Sequence, residues 1–197
     1  STLADRRREK KIEAITMVGV EITQRRRDMC GPTKVEKSKE IAPVVGGSEQ
    51  FRALIGDELF AEIDRRYRIA DMRWVIGESR AGLFITETLL LKPCMFDFYI
   101  AFDPSLWWND RYLIKTACEY LDSFPGSPKV FWFAGSNTEQ IFENVADFAL
   151  VLEESDVRNL YWKYSPEPDE NHGTIYRAAK EEALIWTLET IRAVSDN

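Results

Sequence analysis

Short apolar runs alternate along this chain with longer amphipathic stretches. The runs fall at residues 14–20, 74–76, 96–102, 130–134 and 160–164. They are rich in β-branched and aromatic residues and predict buried strands. Residues 48–66 place Phe51, Leu54, Ile55, Leu59 and Ile63 near a helical period, with Ser48 as a plausible N-cap. A second helix is expected over 81–91, stopping before Pro93. Residues 139–154 carry Ile141, Val145, Phe148 and Leu152 on one face, and 176–194 repeat the pattern with Ala179, Ala183, Trp186 and Ile191. Strands alternating with helices of this length imply an α/β protein, with a largely parallel sheet and helices on both faces. A length of 197 residues suggests one domain over 1–197, with 1–13 a poorly defined leader.

Three segments are too irregular to be simple connections. Residues 23–43 hold Arg25-Arg26-Arg27-Asp28 and then Gly31-Pro32; residues 103–110 hold Pro104 and the pair Trp107-Trp108; residues 166–174 hold His172. Most loops only connect. These three each follow the C-terminal end of an expected strand, where open parallel sheets build their sites.

The sharpest local signal is Trp74-Val-Ile-Gly-Glu-Ser-Arg-Ala-Gly-Leu83, a strand followed by Gly77-x-Ser79-x-Ala81-Gly82 and then a helix. A serine at a tight strand-to-helix turn is held in a strained conformation that lifts its hydroxyl over the sheet edge. Small neighbours are needed there to avoid clashes. The new helix offers free N–H groups to a developing oxyanion, that of Arg80 among them. Ala81 stands where the strict G-x-S-x-G pattern has its last glycine. A serine nucleophile requires a base, and His172 is the single histidine. It lies after the last expected strand, in the order serine, acid, histidine. The acid is then expected after strand 130–134, where Glu139 is the first carboxylate. Glu139 reads equally well as a helix N-terminal carboxylate, and Asp169 and Glu170 are alternatives beside the histidine.

Composition narrows the classes further. The chain is 45% hydrophobic and 30% charged, with a net charge of −7. That apolar content excludes a disordered chain, and the acidity argues against a general nucleic-acid binder. No apolar run approaches the ~20 residues of a membrane span, and residues 1–12 show no signal-peptide pattern. Cys30, Cys94 and Cys118 are too scattered for a disulfide framework or a zinc site. No metal and no cofactor is expected.

The stretches Gly77-Glu-Ser-Arg-Ala-Gly-Leu-Phe84 and Phe96-Asp-Phe-Tyr-Ile-Ala-Phe-Asp-Pro-Ser-Leu-Trp-Trp108 resemble the family of α/β-hydrolases named "putative esterase", in its siderophore-esterase-like, enterochelin esterase-related branch. Val18-Gly19-Val20, Arg25-x-Arg27-Asp28, Gly31-Pro32-Thr33, Asp57-Glu58-Leu59 and Glu170-Asn-His-Gly-Thr174 extend the likeness over nearly the whole chain. The resemblance implies an α/β-hydrolase fold and a serine carboxylic-ester hydrolase, with Ser79 as nucleophile and His172 as base, some relatives working with a Ser-His dyad. This chain departs from many relatives in carrying Glu78, where they have histidine, immediately before the serine. It also lacks the strands that relatives place before the segment matching 14–20. A missing N-terminal segment, or a second chain, is therefore expected to fill a slot between 14–20 and 74–76, leaving those two strands without a direct ladder.

Two functional readings follow. In the first, Ser79, His172 and Glu139 hydrolyse a small-molecule ester, the Arg80 N–H receives the oxyanion, and Arg25, Arg27, Trp107 and Trp108 line the substrate. Arginines and indoles suit an anionic or aromatic group. In the second, the chain is a catalytically silent hydrolase-fold binding module.

Overall fold

A computed structural model describes residues 15–195. At its centre lie four parallel strands in the order β1 (Trp74–Glu78), β2 (Phe98–Phe102), β3 (Lys129–Ser136) and β4 (Leu160–Glu167). Gly77 pairs with Ala101 and Ala101 with Phe133, so the strand ends stay in step across the sheet. β2 and β3 are apolar on both faces and every residue of each is buried. Strands covered on both sides read in this way as continuous rather than alternating runs.

The helices before the sheet are α1 (Arg25–Asp28), α2 (Glu36–Ile41), α3 (Ser48–Ala53) and, after a π-helical turn over Leu54–Leu59, α4 (Phe60–Arg66). Those after β1 are α5 (Arg80–Leu91), α6 (Trp108–Leu121), α7 (Phe142–Glu154) and α8 (Ile175–Ser195). Tyr99, Ala101, Phe131 and Phe133 pack with α5, α6 and α7 on one face. Ile100, Phe102, Trp132 and Ala134 pack against Ile175, Ala179 and Ala183 of α8 on the other. The period-2 alternation of β2 and β3 thus deals their side chains to two cores.

The expected helices form, with 48–66 interrupted by its π turn and 139–154 beginning only at Phe142. Residues 23–43, read from the sequence as an irregular segment, contain the short helices α1 and α2. α6 was not expected, although Leu113, Ile114, Ala117 and Leu121 give it a buried stripe. Its start is disguised by Asn109, Asp110 and Arg111, all with positive φ before the regular helix begins.

The strand expected at 14–20 is corrected. Residue 14 lies outside the described residues, and 15–20 are irregular and exposed, with Met17 82% accessible. A strand persists only where a neighbour takes up its N–H and C=O groups. Among the described residues β1 pairs with β2 alone, so no ladder joins 15–20 to β1.

Candidate active site

Ser79 ends β1 with φ 62° and ψ −117°, a conformation foreign to strand and helix alike. Its N–H donates to the Phe102 carbonyl at 2.9 Å, and its carbonyl accepts from Leu83 N at 2.9 Å, opening α5. The small residues around it are required by contact. A Cβ on Gly77 would lie 2.6 Å from the Cβ of Ala81, and one on Gly82 would lie 3.0 Å from the Phe102 carbonyl oxygen and from Pro104 Cα. The Arg80 N–H belongs to the first turn of α5, where no intrahelical acceptor exists.

β2 ends beside this turn, and the next residue is Asp103, fully buried and also at positive φ. His172 Nδ1 donates to Asp103 Oδ2 at 2.9 Å. Ser136, at the end of β3, donates its backbone N–H to Asp103 Oδ1 and its hydroxyl to Oδ2, both at 2.7 Å. The Thr138 hydroxyl lies 2.9 Å from Ser136 Oγ and accepts the His172 backbone N–H at 3.0 Å. Asp103, Ser136, Thr138 and His172 therefore close a ring of hydrogen bonds that fixes both the loop and the imidazole. With Nδ1–H bound to a carboxylate, the other ring nitrogen is left as the acceptor. No hydrogen bond joins Ser79 Oγ to the imidazole in this geometry, a contact that often tightens only with substrate present.

Of the residues singled out in the sequence, Ser79, Arg80 and His172 lie at the C-terminal ends of the parallel strands. Glu139 does not join them: it is exposed, in the turn before α7, and makes no bond to His172. The carboxylate that meets the histidine is Asp103, which follows β2, the first of the three strands lying between serine and histidine in the chain. Asp169 and Glu170 do not take that place either, although the Glu170 carbonyl accepts the Asn137 N–H at 3.0 Å. Arg25 reaches the site, donating from Nη2 to the Glu78 carbonyl at 3.0 Å. Arg27 is instead engaged by its neighbour Asp28 at 2.6 Å. Trp108 is 4% exposed and belongs to the core, with the Arg80 guanidinium 4.9 Å from its ring centre, so it supports a residue of the site without lining it. Trp107 is half-buried and packs against the same core.

Glu78 adds a second carboxyl. Burial pushes its pKa above the ordinary carboxylate value, the His172 imidazole opposes that, the Asp103 charge adds to it, and Arg25 opposes it again. Among the described residues no cluster of metal-binding side chains occurs, and no helix is long and apolar enough to cross a membrane.

A strained serine between a strand and a helix, with an Asp-bound histidine at neighbouring strand ends, defines an α/β-hydrolase. Its family is equally definite: the family model described as "Putative esterase" matches residues 1–156, and the chain belongs to that family. It is 31% identical over 184 residues to the ferri-bacillibactin esterase BesA of Bacillus subtilis, covering 83% of this chain and 61% of BesA. Over 79 residues it is 34% identical to the siderophore enterobactin esterase of Emericella nidulans, covering 39% of this chain and 26% of that one. Among solved structures, the siderophore hydrolase EstA from Aspergillus nidulans superposes with a TM-score of 0.74 at 21% identity, covering 85% of this chain and 66% of EstA. The BES protein from Bacillus cereus gives 0.73 at 20% identity, covering 85% and 67%. The chain thus spans less than two thirds of the length of the curated relatives it matches.

Proposed function

We propose that the chain is a serine carboxylic-ester hydrolase working through an acyl-enzyme. The observation that carries this reading is the 2.9 Å bond from His172 to a fully buried Asp103, at the strand end beside the strained Ser79. Ser79 Oγ attacks the ester carbonyl carbon while His172 takes its proton, giving a tetrahedral oxyanion that the Arg80 N–H receives. The oxyanion collapses, the alkoxide leaves with the proton from His172, and the acyl group remains on Ser79. Water, deprotonated by His172, then attacks the acyl carbon; the acid leaves and Ser79 recovers its proton. Asp103 holds the imidazole tautomer and stabilises the imidazolium that forms at each step.

The named relatives are esterases and hydrolases of siderophores. For this chain the class of substrate is a small-molecule carboxylic ester, in a mouth where Glu78 adds a carboxyl beside the histidine. The reading also includes a strand from outside the described residues along the free edge of β1, where Ile76 is 38% exposed.

Fluorophosphonate labelling followed by peptide mapping tests the mechanism. A single label on Ser79, lost in Ser79→Ala and strongly reduced in His172→Ala, is expected, together with hydrolysis of 4-nitrophenyl butyrate. A label on Ser105 or Ser136 would overturn the assignment. No label and no turnover would favour the silent binding module.

A further inference from the structure

Two arginines adjoin the Ser79 turn, and both guanidinium groups approach the buried Cys30. Arg25 donates to the carbonyl of the residue before Ser79, and Arg80 is the residue after it. Each is held by a neutral partner. Arg25 Nη2 lies 3.0 Å from the Glu78 oxygen, while Arg80 Nη1 lies 3.1 Å from the buried Cys30 Sγ, over the face of Trp108. Both bear on the Cys30 thiol: burial pushes its pKa up, and the charges of Arg80 and then Arg25 pull against that rise.

Neither group forms an ion pair among the described residues, and each guanidinium is fixed instead by an uncharged acceptor. The acidic groups close by do not neutralise them. Asp103 is engaged by His172 and Ser136, and the Glu78 carboxyl forms no ion pair with either arginine among the described residues. A guanidinium has five donors in a planar fork that matches a carboxylate, and one contact on each leaves most of the fork free. Arg25 also lines a cleft of about 340 Å³ within residues 23–44, beside Arg26 and Arg27, which meets the Ser79 turn through Arg25 itself.

We propose that Arg25 and Arg80 form a subsite for a carboxylate borne by the substrate, so that this chain selects acidic esters over neutral ones. The subsite rests on the esterase reading for its substrate, but not for its ability to bind an anion. Matched ester pairs test it: mono-4-nitrophenyl adipate against its methyl ester for a carboxylate on the acyl half, and 4-carboxyphenyl hexanoate against its methyl ester for one on the alcohol half.

In at least one pair, kcat/KM is expected to favour the acid by about 10–100-fold, the range of a charge-assisted contact. Arg25→Gln and Arg80→Gln should each lower that acid-to-neutral ratio about 10-fold, and 0.5 M salt should shrink it. The ratio cancels any general loss from disturbing the Arg80 backbone. Calorimetric titration of Ser79→Ala with adipate gives a readout free of turnover. Turnover of the neutral esters without preference for either acid, and no adipate binding, would overturn the subsite and leave the esterase. Adipate binding that both arginine substitutions abolish, with no turnover of any ester, would keep the subsite and overturn the esterase. Faster turnover of 4-nitrophenyl 6-aminohexanoate than of the adipate, reversed by Glu78→Gln, would overturn the subsite by assigning charge selection to Glu78.

Discussion

Asp103 Oδ2 and His172 Nδ1 are 2.9 Å apart, although the Asp103 side chain is wholly enclosed and the histidine side chain is 43% exposed. The pair therefore joins an immobile, desolvated charge to a ring that meets solvent and substrate. Ser136 holds the carboxylate from below through two donors, and Thr138 holds the histidine backbone. Such an arrangement fixes the imidazole's tautomer and heading before any substrate arrives.

Asp103→Asn is expected to lower kcat by about 10⁴, since the amide's N–H₂ can force the wrong histidine tautomer without altering the shape of the site. Glu139→Gln should leave kcat within about twofold, because Glu139, although it adjoins Thr138, is exposed and makes no hydrogen bond to the ring. Steady-state rates on 4-nitrophenyl butyrate, with melting curves to confirm folding, separate the two. Equal losses in both variants would remove Asp103 from the mechanism.

The contrast between these two carboxylates shows what was legible in the sequence. The nucleophile turn was, because its requirements are local: a strand, small residues at fixed offsets, a helix. His172 stood out as the candidate base because only one histidine exists. The carboxylate partner of the histidine was not legible, since three strands lie between Ser79 and His172 and the residue spacing alone does not say which strand end supplies it. Asp103 was within reach as the first residue after the 96–102 run. Sheet order decides the matter, because β2 lies between β1 and β3 and puts its end beside the serine turn. Ser136 and Thr138 act through hydrogen bonds to other residues and leave no pattern of their own. The strand expected at 14–20 failed for the converse reason: apolar, β-branched composition marks what can pair, while pairing needs a neighbour.

Gly77→Ala should weaken fold and site together. The added methyl would meet Ala81 Cβ at 2.6 Å, and neither atom belongs to a flexible side chain. The turn must open, at roughly 1–3 kcal/mol for overpacking of this kind. Chemical denaturation should report that loss, and fluorophosphonate labelling of Ser79 should slow more than the unfolded fraction explains. Normal labelling of a destabilised variant would show that the turn yields without moving the hydroxyl.

Arg52 and Glu87 form an ion pair at 2.7 Å with side chains only 8% and 11% exposed, joining α3 to α5 beneath the nucleophile turn. Ser48 Oγ stands 3.4 Å from Arg52 Nη2, and the guanidinium lies 5.5 Å from the Phe84 ring centre. Removing one partner leaves a desolvated charge, so Arg52→Met should cost about 3–5 kcal/mol, whereas Arg52→Met combined with Glu87→Met should recover most of it. A double-variant cycle in urea measures the coupling. Additive losses would mean that the pair is solvated.

Glu78 makes stability depend on pH with a sign that follows from its setting. The groups acting on it are His172, Asp103 and Arg25, but burial is the largest influence, so the folded state favours the neutral carboxyl. Below its ordinary value of 4.5 the group is protonated in both folded and unfolded chains and has no differential effect. As the pH rises through the raised folded value, the unfolded chain gives up its proton more readily, and the folded state loses stability until the carboxyl ionises there too. Glu78→Gln should therefore leave the melting temperature nearly unchanged at pH 4 and raise it at pH 7.5. Melting curves of both proteins at the two pH values decide the point. A loss at pH 7.5 would mean that Arg25 and His172 stabilise the carboxylate more than burial opposes it.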